Sequence, residues 1–496
     1  MRAVPGPRPR DERQATRPSA SEADANPRLS EATAPRAPRE QGGTARAGEA
    51  GRRHRGRVRA PIVGVLKETE PGERRVAMVP DVVGRLKALG VGVLVENGAG
   101  RDAWFSDGAY ADAGAVLGTR QWLLEWADVV LGVALPGPDT LAALRRGQVL
   151  VGLLAPLLRP RTMARLAECG VTAVSLDGLP RTLGRAQAMD ALMSQANVAG
   201  YKAVLVAADA SPRYFPLLMT AAGTACPAEV LVLGAGVAGL AAIGTAHRLG
   251  AVVRAYDIRP AARGEVESLG AAFLDLAAAS DDGLGGPGGV GGVVMGGAER
   301  GGHARALTAG EQAAQREAIA AVVARHDVVI TTAQLPGRRP PLLVTEQAVH
   351  AMRPGSVVVD LAAGPRGGNV EISAPDETIV TAGGVTVIGA GNLPATIPSA
   401  ASTAYARNVA ALLGLLVSDG ALAVDLTDEI QAGVVITHAG SVVQPATAAL
   451  LADGERHDGE RHDGERHDGE RHDGERHDGA GGGIGEFHGA ELGCAS

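Results

Sequence analysis

The sequence predicts an α/β fold built from two domains, each formed around a parallel β-sheet. Short runs of branched apolar residues alternate with helical patterns along most of the chain, which is typical of βαβ units. Only 2% of the 496 residues are aromatic, so Val, Leu, Ile and Ala must fill the core, as they do around buried parallel strands. A glycine-rich turn at residues 234–239 lies between a predicted strand and a predicted helix, which is a common connection in such folds.

Residues 229–257 form the clearest unit of this pattern. Val230–Leu233 is predicted to be a buried strand, Leu240–Leu249 a helix that stops at Gly250, and Ala251–Tyr256 a second strand. This order of strand, turn, helix and strand is the context in which glycines at the turn gain a specific meaning.

The glycine turn has the G-x-G-x-x-G spacing of a dinucleotide site. Gly234 allows the tight turn, Gly236 lets the backbone approach a pyrophosphate, and Gly239 lets the helix pack closely on the strand. The N–H groups at the helix N-terminus then face the phosphates. Asp257 can accept hydrogen bonds from both adenosine ribose hydroxyls, and its charge favours NAD(H) over NADP(H). The residues predicted to bind cofactor here are Gly234, Ala235, Gly236, Val237, Gly239, Asp257, Ile258 and Arg259.

The first half of the chain begins its ordered part at Pro61. Asp81 is expected to cap a helix that ends at Gly90. A long Ala-rich helix is expected to run through about Ala208. The strands predicted in this half are Ile62–Leu66, Val91–Val95, Asp128–Val133, Gln148–Leu153 and Val171–Ser175.

The second half continues the same alternation after Asp257. A helix is predicted over about Glu311–Arg325, and a final helix over about Ser402–Val417 is expected to pack back on the first domain. The strands predicted here are Asp327–Thr332, Ser356–Leu361 and Val385–Ile388. The Gly-rich stretch Ala277–Gly302 is expected to be either a mobile lid or a plain flexible insertion.

These elements divide the chain into four parts. Residues 61–197 together with 391–450 are predicted to form the first α/β domain, and residues 198–390 the second. Residues 1–60, rich in Arg, Pro, Ala and Glu, and residues 451–496, which contain a repeated GERHD unit, are predicted to be disordered. The histidines of the repeat do not have zinc-motif spacing, so no metal site is predicted.

The charge and hydropathy of the sequence argue against nucleic-acid binding and against a membrane-spanning helix. The net charge of −7 gives no indication of nucleic-acid binding. No uncharged apolar run reaches the roughly 18 residues that a membrane-spanning helix needs. We therefore expect a soluble protein, with a peripheral place on a membrane complex left open.

Several segments together resemble one protein family. They are Gly64–Pro80, Arg185–Ala203, Val232–His247, Thr331–Pro336 and Gly355–Asn369. They are similar to the alpha subunit of proton-translocating NAD(P) transhydrogenase and, more distantly, to alanine dehydrogenase. The similarity extends over about Ile62–Val417. This part of the chain resembles the soluble NAD(H)-binding domain called domain I, and the chain resembles the short form of the alpha subunit.

The resemblance implies two Rossmann-like domains with parallel sheets and the cofactor in the cleft between them. It implies an oxidoreductase and translocase subunit that binds NAD(H) and passes hydride from NADH to NADP⁺ held on a membrane-spanning beta subunit, with the Re/Si stereospecificity of the family. Family members form a dimer of this domain, so a homodimer is expected. The expected location is the cytoplasm, with peripheral attachment to the inner or plasma membrane through partner subunits.

The family places an Arg–Gln–Asp loop at the nicotinamide, and the resemblance maps its last two members to Gln187 and Asp190. The arginine is left open between Arg181 and Arg185, because this chain has one extra residue near Gly184. The resemblance implies that Gln187 contacts the nicotinamide-side ribose and the second nicotinamide, while Asp190 holds the arginine or the ribose. It also implies that the nicotinamide side is lined by Thr332, Ala333, Gln334 and Leu335.

Departures from the family pattern concern the nicotinamide end. Met193 stands where the family has a nicotinamide-contacting Ser, and Met cannot donate that hydrogen bond. Ser194 is one position further along the helix and points elsewhere. The Gly-rich stretch contains no Tyr, although the family's mobile loop closes with one. These departures bear on activity and not on the fold.

Two alternative functions stay open. An alanine or other amino-acid dehydrogenase uses a Lys and a His near its substrate, and the stretches Leu131–Pro136 and Val151–Pro156 contain neither. No Asp directly precedes Gly367 and Gly368, so oxidation of an amine has no proton path. The other alternative is a non-catalytic NAD(H)-binding regulator, which Met193 would permit.

Overall fold

The computed structural model describes residues 60–276, 308–334, 337–418 and 420–453. The Gly-rich stretch Ala277–Gly302 lies outside the described residues, and so do the predicted disordered ends except for Ala60 and residues 451–453. Those last three residues belong to a helix at 445–453. Within the described residues, no helix has the length and apolar character needed to cross a membrane.

The first sheet is formed by six strands of the described chain, and all of its strand pairs are parallel. They are β1 (Ile62–Val65), β2 (Gly92–Glu96), β3 (Val116–Gly118), β4 (Val129–Ala134), β5 (Val149–Leu153) and β6 (Thr172–Ser175). Their order is β3-β2-β1-β4-β5-β6. This is the Rossmann order, in which the winding reverses between the first and fourth strands.

The helices of this half connect successive parallel strands. They are α1 (Pro80–Ala88), α2 (Asp107–Asp112), α3 (Arg120–Trp126), α4 (Pro138–Ala142) and α5 (Pro160–Glu168). The prediction that Asp81 caps α1 was wrong: the N-cap residue is Val79, and Pro80 takes the first helical position, which its fixed φ suits. Asp81 lies in the first turn, where its charge still stabilises the positive end of the helix dipole. Gly90 follows the helix with a φ of +76°, at the predicted end.

Helix α6 (Ala191–Ala210) carries the chain from the first sheet to the second. Ala191, at its N-terminus, is buried in the core of the first sheet, while Val204 is buried in the core of the second. An antiparallel hairpin follows, formed by β7 (Leu218–Thr220) and β8 (Gly223–Ala225). The sequence did not predict this hairpin.

The second sheet repeats the arrangement of the first. Its strands are β9 (Glu229–Leu233), β10 (Val252–Tyr256), β11 (Ala272–Phe273), β12 (Val328–Thr331), β13 (Val357–Asp360), β14 (Thr378–Val380) and β15 (Thr386–Gly389). Within the described chain their order is β11-β10-β9-β12-β13-β15-β14. All pairs are parallel except β14 with β15, and the sequence did not predict the antiparallel β14. The helices are α7 (Val237–Arg248), α8 (Ala262–Ser268), α9 (Ala309–Val323) and α10 (Glu346–His350).

The chain then returns to the first sheet through helix α11 (Pro398–Leu416). Tyr405 and Val409 on this helix are fully buried in the core of the first sheet. The Tyr405 hydroxyl donates a hydrogen bond to the Gly132 carbonyl in β4 (2.9 Å). The chain continues with β16 (Val417–Ser418), β17 (Ala421–Leu422), α12 (Glu429–Val434), β18 (Thr437–His438) and β19 (Ser441–Val442). The predicted α/β fold with two Rossmann-like sheets is confirmed.

Candidate functional site

The turn between β9 and α7 is tight on one side and open on the other. Gly234 has a φ of +102°, which favours glycine. A Cβ on Gly239 would collide with the carbonyl oxygen of Gly234, so helix and strand are packed as closely as two backbones allow. A Cβ on Gly236, in contrast, would meet no described atom within 4 Å. The turn therefore offers an accessible backbone face, as the glycine spacing predicts.

The N-terminus of α7 has free hydrogen-bond donors beside this face. Its N-cap residue is Gly236, and no side chain among the described residues caps the helix. The first N–H groups of a helix have no partner within the helix, and they carry the positive end of its dipole. Val237, the first helical residue, is half-buried, and Gly236 directly before it is exposed. A phosphate group fits this donor set.

Asp257, at the end of β10, is bonded to the turn and to an arginine. Its Oδ2 accepts a hydrogen bond from the Ala235 N–H (2.8 Å). Its Oδ1 accepts hydrogen bonds from the backbone N–H (2.8 Å) and from Nε (3.1 Å) of Arg259. The bond to Asp257 raises the pKa of the Arg259 guanidinium. Arg259 partly neutralises the carboxylate, so the predicted preference for NAD(H) depends on how Asp257 is shared between Arg259 and a ribose. Ile258, between them, packs against the core.

The loop after β12 lies beside the glycine turn. The Thr332 hydroxyl donates to the Gly234 carbonyl (3.0 Å). Ala333 exchanges two hydrogen bonds with the Asn369 side chain, each of 2.9 Å. The Gln334 side chain donates to the Leu361 carbonyl (2.9 Å). The predicted segment therefore lies at the carboxyl edge of the second sheet, next to the point where the winding reverses, where open α/β sheets bind ligands.

The predicted set of site residues and the described structure disagree on two residues. Leu335, which was predicted to line the nicotinamide side, lies outside the described residues. Asn369 was not among the predicted site residues, although it joins the loops after β12 and β13. The sequence feature that could have identified Asn369 is its position directly after Gly367 and Gly368. An amide side chain next to two glycines can reach neighbouring backbone groups.

The loop before α6 brings Arg181 and Asp190 together. Nε of Arg181 lies 3.4 Å from Oδ2 of Asp190, whose side chain is only 3% exposed. The other carboxylate oxygen of Asp190 accepts from the Met193 N–H (2.8 Å) and so caps α6. Arg185 instead pairs with Asp428 at 2.6 Å. The geometry therefore favours Arg181 over Arg185 as the arginine of this loop.

Gln187 lies in a short 3₁₀ helix at residues 184–189 and is exposed. Its side chain makes no hydrogen bond to another described residue, so it is available to a ligand. Met193 is also exposed, at 43%. Ser194 does not replace the missing hydroxyl there, because its Oγ is hydrogen-bonded to the Ala191 carbonyl (3.0 Å) and to Asn408 on α11 (2.8 Å).

Helices α6 and α7 connect the two parts of the predicted site. A Cβ on Gly200 would collide with the carbonyl oxygen of Ala238 in the first turn of α7. Asp190 precedes Gly200 by ten residues, which corresponds to about 15 Å of helix rise. The Arg181–Asp190 pair is therefore held at a fixed distance from the glycine turn. This role of Gly200 was not predicted from the sequence.

The corresponding edge of the first sheet is occupied by internal contacts. Arg75 forms two parallel hydrogen bonds with Glu73, Nε to Oε1 at 2.8 Å and Nη2 to Oε2 at 2.6 Å. It also donates to Gln195 on α6 (2.8 Å) and to Asn392 (3.2 Å). Burial raises the pKa of the Glu73 carboxyl, but the hydrogen bonds and charge of Arg75 outweigh it and leave that pKa below its usual value. This cluster was not predicted from the sequence.

Glu68 follows β1 at the same edge. Burial of its carboxyl group raises its pKa to about 7, against the lowering effect of the hydrogen bond from the Val133 N–H. The charge of Glu73 raises the pKa of Glu68 further.

Two family models match the chain. The N-terminal domain model of alanine dehydrogenase/PNT matches residues 64–199, and the C-terminal domain model matches residues 203–445. The chain belongs to the alanine dehydrogenase/PNT family. The family predicted from the sequence segments is thereby confirmed.

Within this family, the chain is more similar to transhydrogenases than to the alanine dehydrogenase compared with it. It is 42% identical over 388 residues to NAD(P) transhydrogenase subunit alpha of Cereibacter sphaeroides, covering 77% of this chain and 71% of that one. The structure of transhydrogenase from Sinorhizobium meliloti is 39% identical with a TM-score of 0.65, covering 78% of this chain and 99% of that one. Alanine dehydrogenase of Bacillus subtilis is 28% identical over 350 residues, covering 69% and 82%. The comparisons support a transhydrogenase subunit.

Proposed function

We propose that this chain is the NAD(H)-binding alpha subunit of a proton-translocating transhydrogenase. It would bind NADH at the carboxyl edge of the second sheet and pass hydride to NADP⁺ held on a partner beta subunit. The observation that carries the proposal is the Arg181–Asp190 pair with the free Gln187 side chain, held by α6 at a fixed distance from the glycine turn.

The residues present fit a dinucleotide. The open face at Gly236 and the uncapped α7 suit the pyrophosphate, and Asp257 suits the adenosine ribose. Gln187 and Arg181 would orient the nicotinamide end. NADH supplies the hydride, so the protein has to align two rings and exclude water, and it needs no general acid or base.

The first-sheet edge supports hydride transfer over amino-acid oxidation. An amino acid or 2-oxo acid carries a carboxylate, which a protein usually binds with a cation. Among the described residues, Arg75 is the buried cation at this edge, and Glu73 already occupies two of its donors in bidentate geometry. A carboxylate substrate would have to displace a buried, fully paired carboxylate, which opposes the alanine dehydrogenase alternative.

We further propose that the chain forms a homodimer and is attached peripherally, on the cytoplasmic side, to membrane-spanning partner subunits. The hairpin β7–β8 supports the homodimer. Residues 217–225 are uncharged, and Leu217 and Met219 are 54% and 77% exposed. Exposed apolar edge strands of this kind are normally covered by another chain or element.

The experiment is stopped-flow hydride transfer from NADH to an NADP⁺ analogue bound to the NADP(H)-binding domain of a transhydrogenase beta subunit. We expect transfer with the unchanged chain, slow transfer with Arg181→Ala, and near-normal transfer with Arg185→Ala. NADH binding without any transfer would contradict the proposal and would favour a non-catalytic NAD(H)-binding regulator. NADH-dependent amination of pyruvate by the chain alone would favour the alanine dehydrogenase alternative.

A further inference from the structure

Three arginines form an exposed group at the carboxyl edge of the second sheet. Arg338 and Arg339 lie in the loop after β12, and Arg366 lies in the loop after β13. All three are exposed. Within the described part of the chain, none of them is paired with a carboxylate. We call this group the arginine rim.

The two loops that carry the arginine rim are joined to each other. Gly364 and Gly367 exchange two backbone hydrogen bonds (3.0 and 2.9 Å), which places Arg366 at the tip of a tight turn. Nη1 of Arg366 donates to the Gly337 carbonyl in the other loop (2.8 Å). A Cβ on Gly367 would lie 3.4 Å from Nε of Arg339. Each of these two guanidinium groups therefore lies against the loop that carries the other arginine.

A buried network holds these loops to the sheet. The Asn369 side chain donates to the carbonyls of Ala333 (2.9 Å) and Pro341 (2.8 Å). Asp360, which is fully buried, accepts from the Ala362 N–H (2.9 Å) and the Val370 N–H (3.0 Å). Because each loop is bonded to a buried side chain, little loop ordering is needed when a partner binds, which favours recognition.

The arginine rim lies where the two sheets approach each other. It begins four residues after Gln334, at the proposed nicotinamide side. A Cβ on Gly337 would lie 2.7 Å from Cδ1 of Leu157, in the loop after β5 of the first sheet. A polypeptide that brought a second nicotinamide to this site would therefore pass close to these arginines.

We propose that the arginine rim docks an acidic surface of the NADP(H)-carrying polypeptide; this rests on the proposed function. The chain as a whole has a net charge of −7, so an acidic partner is repelled by the molecule in general and attracted at the rim. Such a local contrast orients docking and speeds association. Nucleic acid is the weaker candidate, because single-strand grooves combine many cations with stacking aromatic side chains, and residues 337–341 and 364–368 contain no aromatic residue.

The test reverses the charge of the rim without touching the proposed cofactor site. The variant is Arg338→Glu/Arg339→Glu, because neither side chain makes a hydrogen bond to another described residue. The matched control is Arg85→Glu/Arg248→Glu, which changes the net charge by the same amount at two other exposed arginines, near the C-terminal ends of α1 and α7. Binding of the NADP(H)-binding domain of a transhydrogenase beta subunit is measured by calorimetry at low and at high salt. NADH affinity is measured in parallel and confirms that each variant is folded.

We expect the rim variant to bind the NADP(H)-binding domain roughly tenfold more weakly at low salt, with a smaller salt dependence. NADH affinity should be unchanged, and the control should behave like the unchanged chain. Equal weakening by the control, or no weakening by the rim variant, would overturn the proposal. Because docking is measured directly, domain binding without hydride transfer would contradict the proposed function while leaving the rim proposal standing.

Discussion

The two sheets share the order of their first five strands, but their carboxyl edges differ in what they offer to a ligand. At the first sheet, acidic side chains bind backbone N–H groups of neighbouring loops. Glu96 accepts from Lys67, and Asp177 accepts from Ala155. At the second sheet, Asp257 also accepts from a backbone N–H, that of Ala235. The turn there is made of glycines, however, and the uncapped helix after it begins with Val237, whereas α1 begins with a proline that has no N–H. The first edge satisfies its own polar groups, and the second leaves donors accessible to a ligand.

This difference shows that the fold alone does not decide where a nucleotide binds. Each sheet offers a point where the winding reverses. Only at the second does the turn lack side chains on its outer face, because Gly236 has no Cβ to fill it. We call the carboxyl edge of the first sheet the closed edge and that of the second sheet the open edge. The predictions below test this difference.

We expect the largest change in the free energy of unfolding from a substitution at the closed edge. Glu73→Ala leaves the Arg75 guanidinium, whose side chain is only 9% exposed, without its carboxylate. Breaking a buried ion pair in this way should lower the free energy of unfolding by about 3–5 kcal/mol. Chemical denaturation measures it, and the exposed Glu70→Ala, as control, should change it by less than about 0.5 kcal/mol. Equal effects of the two variants would mean that the first edge is not closed by this pair.

The next effect is at the open edge. Gly239→Ala would push a methyl group into the Gly234 carbonyl, which should cost about 3 kcal/mol of stability and abolish NADH binding. Gly244→Ala, in the same helix, is the control, because the nearest atom to its Cβ would be 3.7 Å away. It should stabilise the protein by about 0.5–1 kcal/mol. Thermal unfolding and NADH titration report both quantities. NADH binding by Gly239→Ala at normal affinity would contradict close packing of this turn.

The pH dependence of stability tests the closed edge in a second way. The folded-state pKa of Glu68 is about 7, above the ordinary value of 4.5. Between these values the unfolded chain loses the proton first, so the free energy of unfolding should fall as the pH rises from 4.5 to 7. The loss should be about 3 kcal/mol in total. Glu68→Gln should remove this part of the pH dependence in urea denaturation series, and an unchanged slope would show that Glu68 is not protonated in the folded protein.

The weakest effect concerns ligand affinity at the second edge. Asp257→Asn keeps the shape of the side chain and removes its charge. NADH affinity should fall roughly tenfold, about 1.4 kcal/mol, because hydrogen bonds to a charged acceptor are lost. NADPH affinity should fall less or rise, because the negative charge near the 2′-phosphate is gone. Fluorescence titration with both nucleotides measures the ratio, and an equal loss for both would assign Asp257 to holding the turn alone.

The sequence predicted most of what is local. The alternation of strands and helices and the tight turn at Gly234 follow from residues close together in the chain, whereas the roles of Gln187 and Asp190 stay predictions. The closed first edge could not be predicted in this way, because Arg75 meets Gln195 and Asn392 across 120 and 317 residues of sequence. The choice between Arg181 and Arg185 also required the structure, since Asp428, the partner of Arg185, lies 243 residues away.

The wrongly predicted cap of α1 and the unpredicted strand β14 each have a local physical explanation. Asp81 was a reasonable cap by residue type, but a proline directly before it can begin the helix itself. Strand β14 has only three residues and pairs antiparallel at the end of the sheet. A strand so short has no apolar alternation that could reveal it.

The proposed reaction requires that NADH bound at the second edge donates hydride directly to a second nucleotide on another polypeptide. The decisive measurement is single-turnover transfer from NADH labelled with deuterium at the transferred position to NADP⁺ on the NADP(H)-binding domain, in ordinary water. We predict that the deuterium appears in NADPH in full, without exchange with solvent. Loss of the label to water, or no transfer while both nucleotides are bound, would contradict direct hydride transfer.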